Sequence, residues 1–406
     1  MSSSTHLENK TLTFILAGGE GERLYPLTAD QPKPAVPFGG VFRIIDFTLS
    51  NVLNSGLRRI YMLTQYKHER LHSYVREGWS QLCNEFRQDC GEDMMCLPPS
   101  SGKRYRGTAD AVYQNLDTIE KSSAEYVLIA SGDQVYHMDY GELLLRHATS
   151  GADLTMAAVS HPAGKAPSLG VIEADSDGRI LGFAEKPSSP QPLPSNPGQA
   201  LVSMGVYVFG KEALVRALRK NADFDNSHDF AKDILPVFIR AGSAVVFQFG
   251  GYWRNVGTLD LYYETNLDLL LAGTLDPYEN AAWPTHTLGG PKSLQRSWFA
   301  SESRVSLDAT LNACEVWMSI VSAGSRIDVG AELEAAIVLP GAHIGSGAKI
   351  RKAIVTENAV VSPNARIGYD VEADRFQFPV SKNGIVIVEA PDPARKRAPR
   401  QTSRLP

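Results

Sequence analysis

The sequence has few cysteines, and they are irregularly spaced. Its 406 residues include four of them, Cys83, Cys90, Cys96 and Cys314. So few thiols at such spacings fit neither a disulfide framework nor a zinc site. We therefore predict reduced thiols and a cytoplasmic location.

The sequence also lacks long apolar runs. None reaches the roughly 18 residues that a membrane-spanning helix needs, so we expect no contact with a membrane. Residues 1–10 are polar and contain no signal-peptide core. We expect these ten residues to be disordered.

Basic residues are not in excess. The chain has 40 Lys and Arg against 45 Asp and Glu, a formal net charge of −5. This balance argues against nucleic-acid binding. The hydrophobic content of 43% is ordinary for a globular protein, and the length is sufficient for two or three domains.

Two common nucleotide-binding signatures are incomplete in the first glycine-rich segment. The apolar run 12–16 predicts a buried strand, which leads into Gly18, Gly19 and Gly21. Leu24 stands where a dinucleotide site requires its third glycine, and the Gly-Lys-Ser/Thr of a P-loop is missing. Taken alone, the segment also fits a plain strand–helix connection.

The residues that are present favour a triphosphate site. Glycines let the backbone approach a ligand closely and direct N–H groups at phosphate oxygens. Arg23 and Lys33 add two cations. This combination suits a nucleoside triphosphate whose pyrophosphate is about to leave. The string is Leu16-Ala-Gly-Gly-Glu-Gly-Glu-Arg-Leu24, followed by Pro32-Lys33-Pro34.

From residue 11 to 275, short apolar runs alternate with amphipathic segments. The predicted strands are 12–16, 59–64, 126–130, 154–159, 202–209 and 244–249. The predicted helices are 45–54, 108–119, 140–148, 211–218, 228–240 and 259–271. Alternation of this kind predicts an α/β domain with a Rossmann-like, mostly parallel sheet, whose ligands lie at the carboxyl ends of strands. Residues 276–310 lack clear periodicity and are predicted to be a linker.

A repeat of six residues follows the linker. Its branched apolar triads are Val321, Ile327 and Leu333; Val338, Ile344 and Ile350; and Val355, Val361 and Ile367. Successive triads are offset by 17 residues, with Gly330, Gly347 and Asn364 at equivalent places where corners favour positive φ. This hexapeptide pattern predicts a parallel β-helix at 311–390. The tail, 391–406, is rich in Pro and Arg and is predicted to be disordered.

Polar residues stand at the ends of several predicted elements. Gly107 and Thr108 can start a helix and point N–H donors at an anion or a base edge, with the ring of Tyr105 beside them. Asp133 follows the strand 126–130, where a carboxylate can hold Mg²⁺. Each feature, taken alone, also fits a helix cap or a turn.

Other polar residues suit a phosphorylated sugar. Lys186 can hold a sugar phosphate, and Glu185 can accept hydrogen bonds from sugar hydroxyls. Ser203 and the segment 252–258 add polar groups. For Glu185 and Lys186, a solvated ion pair is the simpler alternative.

In order and spacing these motifs resemble one family, the bacterial glucose-1-phosphate adenylyltransferases, or ADP-glucose pyrophosphorylases. The resemblance extends from about Thr11 to Ile387. Further matching motifs are Phe42-Arg-Ile-Ile-Asp-Phe47, Leu49-Ser-Asn51, Gln65-Tyr66 and Ser227-His-Asp-Phe230. The resemblance implies a nucleotidyltransferase domain followed by a left-handed β-helix, usually within a homotetramer.

The same resemblance implies the roles of individual residues. Arg23, Lys33 and Asp133 would be catalytic. The nucleotide would be bound by Leu16, Ala17, Gly18, Gly19, Gly21, Gln65, Gly107, Thr108, Ala109 and Asp110. The sugar 1-phosphate would be bound by Tyr105, Gly170, Glu185, Lys186 and Ser203. Mg²⁺ would be held by Asp133 and Asn255.

Five positions depart from the family pattern. Asn255 replaces a metal-binding aspartate, Leu169 an aromatic residue before the sugar-pocket glycine, and Gln134 a histidine. Glu20 and Glu22 add two carboxylates to the phosphate loop. Asparagine keeps an acceptor oxygen but carries no charge, so metal binding should weaken.

Three hypotheses about function therefore remain open. The first is synthesis of ADP-glucose from ATP and glucose 1-phosphate, for glycogen. The second is the same chemistry on a glucose-like cyclitol 1-phosphate such as valienol 1-phosphate, with GTP as the nucleotide, in antibiotic biosynthesis. The third is a non-catalytic regulatory subunit, which the retained Arg23, Lys33, Asp133 and Lys186 oppose.

Overall fold

The chain divides into two compact units. The structure is a computed structural model that describes residues 4–79, 94–100, 103–271, 273–288, 294–295 and 300–391. One unit, here called the sheet unit, comprises Met1–Gly19, Thr48–Gly132 and Tyr136–Trp253. The other, the coil unit, comprises Glu20–Phe47, Asp133–Val135 and Arg254–Pro406. Cys83, Cys90 and the tail 392–406 lie outside the described residues, whereas Cys96 and Cys314 are described and are free thiols.

The first thirteen strands include every strand that was predicted from an apolar run. They are β1 (Thr11–Leu16), β2 (Pro37–Phe38), β3 (Phe42–Arg43), β4 (Ile60–Leu63), β5 (Met95–Leu97), β6 (Tyr126–Ser131), β7 (Gln134–Tyr136), β8 (Leu154–Pro162), β9 (Gly170–Ala174), β10 (Ile180–Glu185), β11 (Gln199–Gly210), β12 (Ala244–Phe249) and β13 (Trp253–Asn255).

Ten α-helices lie between and after these strands in the described residues. They are α1 (Ser4–Asn9), α2 (Ile44–Asn54), α3 (Glu69–Tyr74), α4 (Thr108–Tyr113), α5 (Leu116–Lys121), α6 (Tyr140–Ser150), α7 (Lys211–Ala222), α8 (Leu235–Arg240), α9 (Leu259–Asp268) and α10 (Val371–Asp374). Short 3₁₀ helices cover Glu22–Leu24, Lys33–Ala35 and Ala163–Ser168, and π-helical turns cover Val75–Trp79 and Phe230–Ile234.

A nine-stranded sheet forms the centre of the sheet unit. Its order is β10-β9-β11-β6-β1-β4-β5, and β8 joins β11 to β12. β1 is parallel to both β4 and β6, and β11 is antiparallel to its neighbours. Phe14 and Ile15 of β1 are fully buried. The predicted α/β sheet is therefore confirmed, with β1 near its middle and its carboxyl end at the glycine loop.

The β-helix of the coil unit confirms the predicted triads. Ile320 pairs with Ile337, and Ile337 with Ile354, so one coil takes 17 residues. All nine triad side chains are buried. The predicted corner residues, Gly330, Gly347 and Asn364, have φ of 71°, 68° and 57°.

Thirteen short strands build this β-helix, and most of them pair in parallel. They are β14 (Leu294–Gln295), β15 (Ala300–Ser301), β16 (Arg304–Ser306), β17 (Thr310–Leu311), β18 (Glu315–Trp317), β19 (Ile320–Val321), β20 (Arg326–Ile327), β21 (Glu332–Val338), β22 (His343–Ile344), β23 (Lys349–Val355), β24 (Val360–Val361), β25 (Arg366–Ile367) and β26 (Val386–Val388).

The β-helix begins before residue 311, which corrects the predicted linker at 276–310. β16 already pairs in parallel with β19, and β15 with β18. Arg304 pairs with Ile320 and Thr310 with Arg326, so this first coil takes only 16 residues. A search for an offset of 17 therefore does not find it.

Residues 4–10 are ordered, which corrects the prediction of disorder for this segment. Ser4–Asn9 form α1, and the hydroxyl of Thr11 donates to the carbonyl of Leu7 at 2.7 Å. The carbonyl of Lys10 accepts hydrogen bonds from the amides of Glu125 and Tyr126. The segment is thus tied to the edge of β6 by backbone bonds that its polar composition does not reveal.

Two predicted helices are interrupted. The helix expected at 108–119 is divided into α4 and α5, because Asn115 leaves helical geometry and its side chain donates to the carbonyl of Ala111. The helix expected at 228–240 begins later, because His228 has φ of 49° and Asp229 caps the chain after it.

No helix among the described residues is both long and apolar enough to cross a membrane.

His147 makes the sheet unit sensitive to acid. Its Nδ1 lies 2.8 Å from the hydroxyl of Thr155, and burial lowers its pKa to about 4, although Asp153 acts in the opposite direction. An unfolded histidine binds its proton near pH 6.5, so the unfolded state gains protons first as the pH falls. The free energy of unfolding should therefore drop by roughly 2 kcal/mol between pH 7 and pH 5.

Urea titrations of wild type and His147→Gln across this pH range test the assignment. Glutamine can bond Thr155 but does not titrate, so the variant should lose less stability on acidification. Equal pH slopes for the two proteins would show that His147 is not the group responsible.

Candidate active site

Lys33 is a buried cation held between two oxygen acceptors of the coil unit. The residue is 7% exposed. Its Nζ lies 2.7 Å from Asp133 Oδ2 and 3.4 Å from Asn255 Oδ1. Three predicted site residues, distant in the sequence, are thus brought together around one ammonium group. Their roles stay predictions.

Gly21 allows the phosphate loop to lie against Lys33. Its φ is +68°, and a Cβ placed on it would stand 2.9 Å from the Cβ of Lys33. The hydroxyl of Thr28 donates to the Gly21 carbonyl at 3.1 Å. Gly21 is therefore required by both its left-handed conformation and the space available. Gly19, in contrast, has nothing within 4 Å of the place of a Cβ.

Arg23 lies beside the Lys33 cluster and is exposed. A Cβ placed on Gly257 would stand 3.4 Å from Arg23 Nη2 and 3.6 Å from Asn255 Oδ1. The second predicted cation is thus close to Asn255, at the end of β13. Since Asn255 is neutral, Asp133 is the one carboxylate of this group, here called the charge cluster (Arg23, Lys33, Asp133 and Asn255).

The charge cluster fits a magnesium ion that is held mainly by a nucleotide. Asp133 and Asn255 offer a carboxylate and an amide oxygen, both of which are donors that Mg²⁺ accepts. The described residues contain no group of three or more His, Cys, Asp or Glu that could hold a metal. Most ligands of such an ion would therefore have to come from phosphate oxygens and water.

The amino-terminal half of the glycine loop lies against Gln65 in the sheet unit. A Cβ on Gly18 would stand 3.3 Å from the backbone nitrogen and the Cβ of Gln65, and the Ala17 amide donates to the carbonyl of Leu63. Leu16 ends β1, level with Leu63 of β4. These residues lie at the carboxyl ends of two parallel strands, which is where the sequence predicts the nucleotide.

Gln65 and Tyr105 are bonded to each other. The amide of Tyr105 donates to Gln65 Oε1 at 2.6 Å, and the Tyr105 hydroxyl donates to the carbonyl of Leu97 at 3.0 Å. Burial raises the pKa of this hydroxyl. The structure thus puts Tyr105, predicted to bind the sugar, next to the residue predicted to lie near the base.

The beginning of α4 differs from the prediction. The amides of Ala109 and Asp110 donate to the carbonyl of His228, so the expectation that they face a ligand anion is wrong. A Cβ on Gly107 would lie 2.4 Å from the same carbonyl oxygen. The Thr108 hydroxyl donates to Asp229 Oδ2 at 2.9 Å. The chain around His228 has taken the space and the donors that the motif promised to a nucleotide.

The carboxylate of Asp110 also has internal partners. It accepts hydrogen bonds from the backbone and guanidinium of Arg106 and from the side chain of Gln114. Burial alone would raise the pKa of Asp110, but these bonds outweigh it and the pKa lies below its ordinary value. The carboxylate therefore braces the turn that precedes α4.

Gly170, Glu185 and Lys186 form a second group of polar residues, at the paired ends of β9 and β10. Gly170 pairs with Glu185, and a Cβ on it would stand 2.7 Å from the ring of Phe183 and 3.0 Å from Glu185 Oε2. Lys186 Nζ lies 3.2 Å from Glu185 Oε1. The absence of a side chain at Gly170 therefore keeps the Glu185 carboxylate accessible beside a lysine.

Tyr207 belongs with this group but was missed in the sequence. Its hydroxyl lies 3.4 Å from Ser203 Oγ. Burial raises its pKa to about 12, and the charges of Asp229 and Glu185 contribute to the rise. The strand β11 shifts register between Ser203 and Tyr207, around Gly205 with φ of +67°. A glycine inside a strand pattern is the signal that could have indicated this bulge.

Comparisons with known proteins agree with the fold and with these residues. The nucleotidyl transferase family matches residues 12–271, and the GlmU-like, C-terminal hexapeptide family matches residues 291–388. Glucose-1-phosphate adenylyltransferase 2 of Alkalilimnicola ehrlichii is 41% identical over 95% of this chain and 94% of its own length. The glucose-1-phosphate adenylyltransferase of Koribacter versatilis is 39% identical over 93% and 95%.

The chain belongs to the bacterial glucose-1-phosphate adenylyltransferase family. It is accordingly a sugar-1-phosphate nucleotidylyltransferase. Glucose-1-phosphate adenylyltransferase 2 of Vibrio vulnificus, 48% identical, matches over 64% of this chain. The resemblance inferred from the motifs is thereby confirmed.

The two glycines of the phosphate loop should respond differently to alanine. Gly21→Ala should strain the loop by about 1–3 kcal/mol and move Lys33, lowering both kcat and the melting temperature. Gly19→Ala meets no neighbour. It should therefore raise only the KM for the nucleotide, if the backbone there approaches phosphate closely.

Steady-state kinetics and thermal unfolding of both variants provide the measurement. Equal loss of stability in the two variants would refute the distinction. An unchanged kcat in Gly21→Ala would show that the loop does not set the position of Lys33.

Proposed function

We propose that this protein synthesises ADP-glucose from ATP and glucose 1-phosphate, releasing pyrophosphate, in the cytoplasm and for a glycogen-type polymer. The observation that carries the proposal is the similarity, over 95% of the chain, to a protein named glucose-1-phosphate adenylyltransferase 2. A homotetramer stays a prediction.

The charge cluster suits the phosphoryl chemistry. In the proposed reaction, an oxygen of the sugar phosphate attacks the α-phosphorus of the nucleotide and forms a new P–O bond. The bond from the α-phosphorus to the bridging oxygen breaks, and its electron pair leaves with pyrophosphate. Lys33 and Arg23 neutralise the charge on the triphosphate, so that catalysis rests on positioning and electrostatics.

Magnesium is the cofactor we propose, with Asp133 and Asn255 as its protein ligands. When bound, the ion neutralises phosphate charge and orients the triphosphate. Asn255 Oδ1 accepts from Lys33 at 3.4 Å, so the amide already has a use without a metal. With a single carboxylate in the charge cluster, the affinity for Mg²⁺ should depend strongly on the nucleotide.

Glu185, Lys186 and Ser203 are the proposed ligands of the sugar phosphate. The carboxylate of Glu185 accepts hydrogen bonds from sugar hydroxyls, and Lys186 holds the phosphate as a point charge. The side chain of Lys186 is 58% exposed, and that of Glu185 is 27% exposed. Both groups are thus accessible to a ligand.

A glucose-like cyclitol 1-phosphate, with GTP as the nucleotide, is a second candidate. Leu169 and Asn255 favour it, because both differ from the family at places expected to touch the acceptor or its metal. The carbonyl of Leu169 accepts from the Lys186 amide at 3.0 Å, so its position bears directly on that of Lys186. The regulatory-subunit hypothesis has no such support, given the intact pair of Lys33 and Asp133.

Pyrophosphate release tests the proposal. Purified protein with Mg²⁺ should release pyrophosphate fastest with ATP and glucose 1-phosphate among the five common nucleoside triphosphates. Valienol 1-phosphate is the matched acceptor. Turnover only with the cyclitol phosphate would replace the first candidate by the second, and no turnover with either would contradict nucleotidyl transfer to both acceptors.

Restoring a carboxylate at position 255 should reduce the demand for metal. We expect Asn255→Asp to lower the half-saturating Mg²⁺ concentration about threefold to tenfold and to raise turnover on glucose 1-phosphate at limiting Mg²⁺. Asn196→Asp makes the same chemical change in the exposed proline-rich loop and should have no effect. An unchanged Mg²⁺ requirement in Asn255→Asp would exclude this position from the metal site.

A further inference from the structure

A buried glutamine joins the segment that carries Lys33 to the β-helix. Gln31 is 2% exposed, and its Nε2 donates to Glu357 Oε2 at 2.9 Å and to the carbonyl of Leu27 at 3.2 Å. Gln31 and Glu357 stand 326 positions apart in the sequence, yet both lie in the coil unit. The bond attaches residues 31–37, here called the lysine loop, to one coil.

The lysine loop is stiff. Pro32 and Pro34 flank Lys33, and each proline ring fixes its own φ. Lys33–Ala35 form a 3₁₀ turn in which the Ala35 amide donates to the Pro32 carbonyl at 2.9 Å. Because only one restrained residue separates Gln31 from Lys33, a displacement at Gln31 is transmitted to the ammonium group.

Two further side chains hold the same loop. The guanidinium of Arg43 donates to Gln31 Oε1 at 3.2 Å and to the carbonyl of Ala35. The hydroxyl of Tyr262, on α9, donates to the carbonyl of Pro37 at 2.6 Å. Gln31 is therefore the point at which a contact from the β-helix enters an already braced loop.

Glu357 is presented from a fixed corner of the β-helix. The amide before it, of Thr356, donates to Val388, and the amide after it, of Asn358, donates to Pro340. Asn358 takes the left-handed corner conformation, with φ of 57°. The backbone on both sides of Glu357 is thus bonded to neighbouring coils, and its half-buried carboxylate has a defined position.

We propose that Glu357 is a positioning residue, which acts through Gln31 to hold Lys33 in register with Asp133. The proposal rests on nucleotidyl transfer as the activity of the charge cluster. It gives the β-helix a direct part in catalysis within one chain. Such coupling needs evidence beyond proximity, which a pair of matched variants can supply.

Hydrogen exchange measures the proposal without reference to activity. In Glu357→Ala, amides of the peptide 31–38, including those of Ala35 and Val36, should exchange about tenfold faster, because the local opening that exposes them costs less. Glu357→Gln keeps an acceptor oxygen for Gln31 and should retain most of the protection. Glu334→Ala removes a β-helix glutamate paired with Arg351 and should leave the peptide unchanged.

Kinetics of the same variants supply the functional readout. With the acceptor that wild type uses best, Glu357→Ala should lower kcat about tenfold and change each KM less than twofold, while Glu357→Gln restores kcat. Gln31→Ala combined with Glu357→Ala should be no worse than the weaker single variant, since contacting residues are not additive.

The results separate the two proposals. Lack of turnover by wild type would contradict the proposed function, and hydrogen exchange would still decide the role of Glu357. Exchange in Glu357→Ala that matches Glu334→Ala, or additive effects on kcat in the double variant, would overturn the positioning role.

Discussion

The ion pair between Lys33 and Asp133 is the contact on which the candidate active site depends. A buried ammonium is tolerated only when a charged or polar partner compensates its desolvation. Here Asp133 supplies the charge at 2.7 Å and Asn255 supplies an amide oxygen at 3.4 Å. The φ of +68° at Gly21 and the prolines on both sides of Lys33 follow from the need to hold this cation close to the loop.

The division of the chain gives this contact a further meaning. The charge cluster and the β-helix lie in the same compact unit, whereas Gln65, Glu185 and Ser203 lie in the other. The β-helix is rigid because each coil is bonded to the next over its whole length. A rigid element attached to the catalytic lysine can fix its position more accurately than a surface loop can. Assembly is therefore not the only use to which this β-helix can be put.

Sequence patterns predicted the parts of the structure that depend on local periodicity. The strand at Ala244–Phe249 was found with its observed limits, and the nine triad residues of the β-helix are all buried. The first coil escaped because it is one residue shorter than the others.

The misses have a common physical cause. The amides of Ala109 and Asp110 were assigned to a ligand, but the carbonyl of His228 takes them. The bond of Gln31 to Glu357 spans most of the chain and leaves no mark in either local sequence. Residue type and spacing indicate which groups are available, whereas the fold decides which of them are consumed by internal contacts.

Calorimetric titration of ATP into wild type and Asp133→Asn, with and without Mg²⁺, tests the central role of the ion pair most directly. Without Mg²⁺, the variant should bind ATP more tightly, because Lys33 is released to the phosphates. With Mg²⁺, wild type should gain affinity and the variant should gain little. A variant that binds metal-free ATP no more tightly than wild type, and keeps the full effect of Mg²⁺, would contradict the account.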